Sequence, residues 1–482
     1  MAASLSLPDQ LNSEGLAEAA QGRDGMAEIA FRRACALAPA HVSAIGNLAN
    51  AETRRLSLGP ALRHYGWALA LVPEMPQLHL MLAAAEVHAG TADRATASLH
   101  RTLVLTPGYA KALINLGAFL SQNARHAEGV RLFRRALVCE PESELAFSGC
   151  IQALSRDGRF EPVPVLLRRA AACHPASARL HAVAGEYFQT VGHLAAALRH
   201  LRRAVALDPQ TARLHQQLLF ALVLDPETSN PALFAEYRRW ARRHMPSAPS
   251  APGATDRDPD RVLKVGYLSA DLYDHPVAYL IEDLIRHHDR SQVSPQLFAA
   301  GMRSDATSRR LAASADGWRS VAALADVDAA RVISESRVDI LVSLAGHTGD
   351  NRVAIAAHRP APVQVNLHDL STSGLDAVDY WLTDSHLHPA DTDEGRTEAL
   401  WRIDSLYLHH WPDDVPAPSP LPAQAHGFVT FGCFASPAKL NGRVLAAWAR
   451  ILNELPRSQI LFAYRQAFAD RLLRERFRAL LE

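Results

Sequence analysis

Two hydrophobic patterns divide the chain. Over the first half, apolar and small residues fall in short blocks with helical spacing, ending with a helix from Leu214 to Leu224 and another that starts at Asn230-Pro231 and runs through His244. In that last helix Asn230 is expected as the cap and Pro231 at the first helical position. Ser247 to Arg261, SAPSAPGATDRDPDR, has the composition of a linker. Beyond it the pattern switches to strand-length apolar runs alternating with helices, which predicts βαβ units and a mostly parallel sheet. Strands are expected around Val265 to Leu268, Gln296 to Ala300, Val338 to Leu344, Arg359 to Val365 and Asp379 to Asp384, with helices over Val277 to Ile285 and Asp326 to Ser334. A second α/β unit is expected from the strand Phe428 to Phe434, the helix Val444 to Leu455 and the strand Gln459 to Ala463.

The first half is periodic. Pro39, Pro73, Pro107, Pro141, Pro175 and Pro209 each follow the last by 34 residues. Five positions before them stand Ala34, Ala68, Thr102, Ala136, Ala170 and Ala204, and a second small-residue column runs through Ala27, Ala61, Ala95, Gly129, Val163 and Ala197. Small side chains let two helices pack closely, and a proline ends the second because it lacks the next backbone donor. The period and these columns are those of a tetratricopeptide repeat array, set at residues 8 to 245. A third column, two before each proline, holds Leu37, Leu71, Leu105, Cys139, Cys173 and Leu207 and is expected in the core. Such arrays bind extended segments on a concave face, where an asparagine ladder can hold a peptide backbone. Eight residues after each proline this chain has Asn47, Met81, Asn115, Gly149, Val183 and Gln217, so a ladder of Asn47 and Asn115 is broken.

Composition adds exclusions. The chain has 482 residues, 48% hydrophobic and 21% charged, enough for about three domains. Lys and Arg together number 50 and so do Asp and Glu, so charge argues for neither nucleic acid nor an anionic membrane surface as partner. No signal peptide or bilayer-spanning stretch is evident, and a cytoplasmic protein is expected. Cys35, Cys139, Cys150, Cys173 and Cys433 form no CxxC pair and read as small buried hydrophobes.

The candidate chemistry sits at strand ends. Loops leaving the carboxyl ends of strands line the ligand crevice of an open α/β sheet. This places His275, His347 in Ala345-Gly346-His347-Thr348-Gly349, and the turn Ser371-Thr372-Ser373-Gly374 in one crevice, where the turn can offer N–H and hydroxyl donors to an anion or sugar. Lys439, in the loop Ala435 to Asn441 with Ser436, is placed to meet a phosphate near a helix start. A metal site from His386, His388, His409 and His410 is disfavoured, because no regular spacing brings three of them together with a carboxylate.

The repeat array followed, in order, by VGYLSADLYDHPVAYL, DILVSLAGHT, RPAPVQV, TSG, DYWLTD and FGCFASPAKLN resembles the O-linked N-acetylglucosaminyltransferases, especially their bacterial members. The resemblance implies inverting transfer of a sugar, N-acetylglucosamine in this family, from a nucleotide diphosphate donor to protein Ser or Thr, on two facing Rossmann-like lobes of GT-B type and without a catalytic metal or other cofactor. Protein acceptors in the repeat groove and a nucleotide sugar are the partners it implies. By position His275 matches the active-site histidine, Gly346-His347-Thr348 the loop beside it, Thr372-Ser373-Gly374 the acceptor and sugar loop, and Lys439 the lysine that meets the diphosphate. The expected domains are the array, a linker at 246–261, a first lobe at 262–425 and the start of a second at 426–482.

Two departures shape the expectation. The family's Leu-Gly-Tyr-Pro-Gly before Thr-Ser-Gly is replaced by Leu367-His368-Asp369-Leu370-Ser371, which removes both glycines and the proline. The sequence also ends at Glu482, two strands and two helices into the nucleotide-binding lobe by this reading. Phe428, Phe431, Leu461 and Phe462 are therefore expected to lack part of their cover, the small lobe to dock on the preceding lobe or another chain, and donor affinity to be weak. The competing reading is a tetratricopeptide scaffold whose transferase half serves only in binding.

Overall fold

The computed structural model describes residues 5–247, 258, 260–406, 416–464 and 467–481. They form two compact units, Met1–Asp157 and Gly158–Glu482. The first is built of antiparallel helix pairs: Leu7–Ala20 with Asp24–Leu37, Val42–Arg54 with Leu58–Leu71, Pro76–His88 with Ala92–Leu105, and Ala110–Gln122 with His126–Cys139, followed by Glu144–Arg156. The expected small columns pack the pairs. Ala27, Ala34, Ala61, Ala68, Ala95, Thr102 and Ala136 are fully buried, with Phe31, Tyr65, Phe133 and Phe147 filling the space beside them. Each periodic proline stands two residues beyond its second helix.

The column two before the prolines is not core. Leu37 is 55% exposed, Leu71 41%, and Cys139 and Cys173 are exposed, whereas Cys35, Cys150 and Cys433 are buried. That column falls on the last residue of each second helix, where no further turn covers it. The broken asparagine column has a steric reason at one position: a Cβ on Gly149 would lie 2.3 Å from the Phe133 ring.

The second unit opens with the helices Val163–Cys173, Ala178–Thr190, Leu194–Leu207, Ala212–Val223 and Asn230–His244. Ser229, not Asn230, is the cap of the last, and the Asn230 amide instead donates to Asp393 at 2.7 Å. A parallel sheet follows, of β1 (Leu263–Ser269), β2 (Val293–Ala299), β3 (Gly317–Ser320), β4 (Ile340–Leu344), β5 (Val363–Leu367), β6 (Tyr380–Asp384) and β7 (Ala399–Ile403) in the order β3-β2-β1-β4-β5-β6-β7. Alternate residues of its central strands bury on opposite faces. Tyr267, Val342 and Leu344 pack with Ile281 of the helix Pro276–His287, whereas Leu268, Leu341 and Phe298 pack with Ile333 of the helix Asp326–Glu335 and with Ile355. The edge strands β3 and β7 and the helix Ala306–Ser314 are not marked in the apolar pattern; β7, Ala-Leu-Trp-Arg-Ile, is short, broken by Arg402 and largely exposed despite its apolar residues.

The helix Asn230–His244 belongs to the core of the sheet half. Trp240 and Tyr237 are buried against Val353, Ala356, Leu375 and Val378, so the compact boundary lies at residue 158 and not at the proline-rich stretch, most of which lies outside the described residues.

β8 (Thr430–Cys433) and β9 (Gln459–Phe462) pair in parallel as a separate two-stranded sheet, with the helices Gly442–Glu454 and Arg471–Leu481. Leu461 is 56% exposed and Phe462 is only half-buried, as expected, although Phe468 at 5.2 Å and Phe477 at 5.6 Å pack against the Phe462 ring. This segment docks on the repeat helices of its own unit, which the sequence did not foresee. Asp470 accepts from the backbone amides of Phe160 (2.9 Å) and Glu161 (3.0 Å) while also capping the helix Arg471–Leu481 through Leu473 N.

Candidate active site

β1 and β4 are neighbours from which the strand order runs outward in opposite directions, which opens a crevice beyond their carboxyl ends. From β1 the chain passes through Ser269 to His275. The His275 backbone is extended at the start of the helix Pro276–His287, and its Nδ1 accepts from the Val277 amide at 3.3 Å. A neutral imidazole bonded this way carries its proton on Nε2. Asp271 Oδ2 lies 3.9 Å from the same Nδ1. Tyr273 stands beside the ring, with the Arg303 guanidinium over its own face.

Asn351 ties this loop to the one leaving β4. Its Oδ1 accepts from Ser269 Oγ (3.0 Å) and the Ala270 amide (2.8 Å), and its Nδ2 donates to Asp271 Oδ2 (2.7 Å) and the Thr348 carbonyl (3.1 Å). One amide uses both ends, which a carboxylate or hydroxyl cannot do in this arrangement. A small cavity lined by Ser269, Ser343, Gly346 and Asn351 lies between the two strand ends.

His347 is buried. Its Nε2 donates to the Ser373 carbonyl at 2.9 Å, and its ring sits edge-on to Trp240 (4.4 Å) and Tyr237 (5.0 Å). Burial lowers its pKa to about 4, and Nδ1 has no hydrogen-bond partner among the described residues. His347 is thus a neutral strut beneath the helix Asn230–His244. The structure brings it to Ser373, as expected, and its link to the His275 loop runs through Thr348 and Asn351.

The Thr372-Ser373-Gly374 turn differs from its expected role. Thr372 and Ser373 are fully buried, and Glu398 takes their donors: Thr372 Oγ1 at 2.5 Å, Ser373 N at 2.7 Å, and Ser373 Oγ as well. Gly374 has φ +73°, a Cβ on it would lie 2.9 Å from the Tyr237 carbonyl, and its own carbonyl accepts from Arg238. These hydroxyls are committed inside the protein and are not offered to a ligand here.

In the departing loop His368 holds φ +57°, a left-handed conformation natural to glycine, so the backbone keeps the turn without that residue. Asp369 caps it, accepting from the Leu370 amide (2.7 Å) and Asn366 Nδ2 (2.9 Å). Burial pushes the Asp369 carboxyl up to about 7. Gly346 makes room for it: a Cβ there would meet Asp369 Oδ2 at 1.6 Å.

Ser436 accepts from the Ala438 amide and opens the turn Pro437–Lys439. Lys439 is exposed there, and Asn441 caps the following helix. In the first unit Asn47 donates to Asn12 Oδ1 at 3.0 Å and Asn115 is exposed. His388 is spent on Thr383 Oγ1 (2.6 Å) and lies beside Glu394 at 3.2 Å; among the described residues no group of three ligating side chains is placed for a metal, and His409 and His410 lie outside them. Sequence reasoning missed Asp271, Asn351, Asp369 and Glu398. The first three follow strand ends and carried that signal; Glu398 precedes β7, which the pattern had not marked.

A family model described as Glycosyl transferase family 41 matches residues 250–408. Among solved structures, a point mutant of the Thermobaculum terrenum O-GlcNAc transferase is similar to this chain with a TM-score of 0.72 and 32% identity, over 77% of this chain and 71% of that one. The chain belongs to the O-GlcNAc transferase family. Curated relatives agree: a probable UDP-N-acetylglucosamine–peptide N-acetylglucosaminyltransferase of Arabidopsis thaliana, SPINDLY, is 34% identical over 274 residues, 55% of this chain and 30% of that protein. A second from the same plant, SEC, is 27% identical over 209 residues, 41% of this chain and 21% of that protein. The chain matches less than a third of the length of these relatives. Among the described residues of this O-GlcNAc transferase family member, no helix is long and apolar enough to cross a membrane.

Proposed function

We propose that the protein transfers N-acetylglucosamine from UDP-N-acetylglucosamine to Ser or Thr hydroxyls of protein acceptors, with inversion, in the cytoplasm and without a catalytic metal. The observation that carries this is His275 at the start of a helix in the β1/β4 crevice, on a chain that shares repeats and sheet with a transferase of known structure. The acceptor oxygen attacks the anomeric carbon, the bond to the diphosphate breaks, the nucleotide leaves with the electron pair, and the hydroxyl proton is released. With Nδ1 occupied by the Val277 amide, His275 acts as a donor through Nε2–H and not as the base. Lys439 supplies a cation for charge that grows on the leaving diphosphate. The repeat array captures the acceptor.

The test separates chemistry from folding. His275→Asn keeps a side chain that caps the helix, whereas His275→Ala costs about 1 kcal/mol of cap. Both are expected to cut transfer to a Ser/Thr peptide by on the order of a hundredfold, read by mass spectrometry, with the Asn variant melting as the parent does. Lys439→Ala is expected to weaken donor affinity about tenfold, read by calorimetry. GDP-fucose and UDP-glucose serve as alternative donors. If no nucleotide sugar supports transfer, the scaffold reading replaces this one.

A further inference from the structure

The loop that carries Lys439 is gripped by a repeat. The turn between the helices Ala178–Thr190 and Leu194–Leu207 passes through Gly192, whose φ of +77° excludes most side chains. A Cβ on Gly192 would stand 2.7 Å from the Pro437 carbonyl, so backbone meets backbone at this point. Pro437 is buried, and two residues later comes Lys439, whose amide closes the turn on the Ser436 carbonyl at 2.9 Å. Arg476, on the helix Arg471–Leu481, clamps the same turn beside Pro437: its Nη2 donates to the Gly192 carbonyl at 2.9 Å and its Nη1 to the Val191 carbonyl. A planar guanidinium reaching two successive carbonyls fixes orientation as well as distance.

We infer that the Val191-Gly192-His193 turn of the repeats, clamped by Arg476, is the positioning element for the Lys439 loop. The repeats then set the geometry of the lysine offered to a diphosphate, in addition to any part in acceptor capture. The diphosphate role of Lys439 rests on the function proposed above; the grip on its loop does not. Asp470 provides a contrast, because it anchors the same helix to the repeats through the Phe160 and Glu161 amides and not through the carbonyls of the Gly192 turn. A general docking role would make the two anchors equivalent.

The chain contains three lysines, Lys111, Lys264 and Lys439, so a lysine-specific endoprotease reports on the loop directly. In the full chain, Arg476→Ala and Gly192→Ala are expected to speed cleavage after Lys439 at least tenfold relative to cleavage after Lys111. Arg476→Lys, which retains a donor for one carbonyl, should fall between, and Asp470→Ala should change the ratio less than threefold. Unchanged cleavage in both Arg476→Ala and Gly192→Ala overturns the inference, and so does an equal rise in Asp470→Ala. In parallel, UDP is titrated into the parent, Lys439→Ala and Arg476→Ala. A matching loss of affinity in the two variants, about tenfold, supports positioning. UDP binding that Lys439→Ala leaves unchanged removes the diphosphate role from Lys439, and the protease ratio alone then decides the grip.

Discussion

His347 shows how far a single side chain can sit from its expected task. A histidine at a strand end in a crevice reads as chemistry, yet Trp240 and Tyr237 close over it and its proton is held on the Ser373 carbonyl. Burial penalises the charged ring, so the folded pKa of about 4 lies below the ordinary value of 6.5. The stability it provides is complete above pH 6.5 and is lost as pH falls from 6.5 towards 4, since the unfolded chain takes up a proton that the folded one refuses. Over that window the loss is on the order of 3 kcal/mol. Unfolding midpoints of His347→Gln against the parent across pH 4 to 7 check this: the variant should show the flatter profile, and parallel profiles would exclude the buried neutral ring. His275, by contrast, matched its sequence reading in position, because the adjoining proline marks a helix start regardless of tertiary context.

At the scale of elements, period and burial made most of the architecture legible. The 34-residue columns gave the helix pairs because each small residue must face a neighbouring helix, and the central strands gave themselves away as continuous apolar runs. Elements with few buried residues left a weaker trace: β3, Gly-Trp-Arg-Ser, has one apolar residue, and the apolar run of β7 is short and broken by Arg402. With β7 went Glu398, and with Glu398 the reason that Thr372 and Ser373 are locked inside. The asparagine positions of the first helices illustrate packing overriding a binding motif. Gly149 leaves room for the Phe133 ring, and Asn47 is turned to Asn12. Replacing Asn47 and Asn115 together by Ala is therefore expected to weaken capture of a protein acceptor less than tenfold, or about 1.4 kcal/mol, in a pull-down titration. A larger loss would restore the backbone-clamp role to these two residues.

For the molecule as a whole, the helix Asn230–His244 has a practical bearing on how the protein can be dissected. By sequence the natural cut lies in the proline-rich stretch, and an expression clone beginning there would look like a tidy catalytic half. Such a clone strips Trp240 and Tyr237 from Val353, Ala356, Leu375 and Val378, and leaves His347 facing water where an indole had been. It also discards Phe160, Glu161 and the Val191-Gly192 carbonyls to which Asp470 and Arg476 are tied. A fragment of residues 158–482 should give a single cooperative melt and elute as a discrete species on gel filtration, while one of residues 247–482 should aggregate. The reverse outcome would show that the last repeat helices are dispensable to the sheet. A gene-fusion or fragment-swap experiment among relatives that joins repeats to catalytic halves at the linker would, for the same reason, produce insoluble chimaeras whose failure says nothing about specificity; the workable crossover is five helices, two and a half repeats, deeper than the composition of the chain advertises.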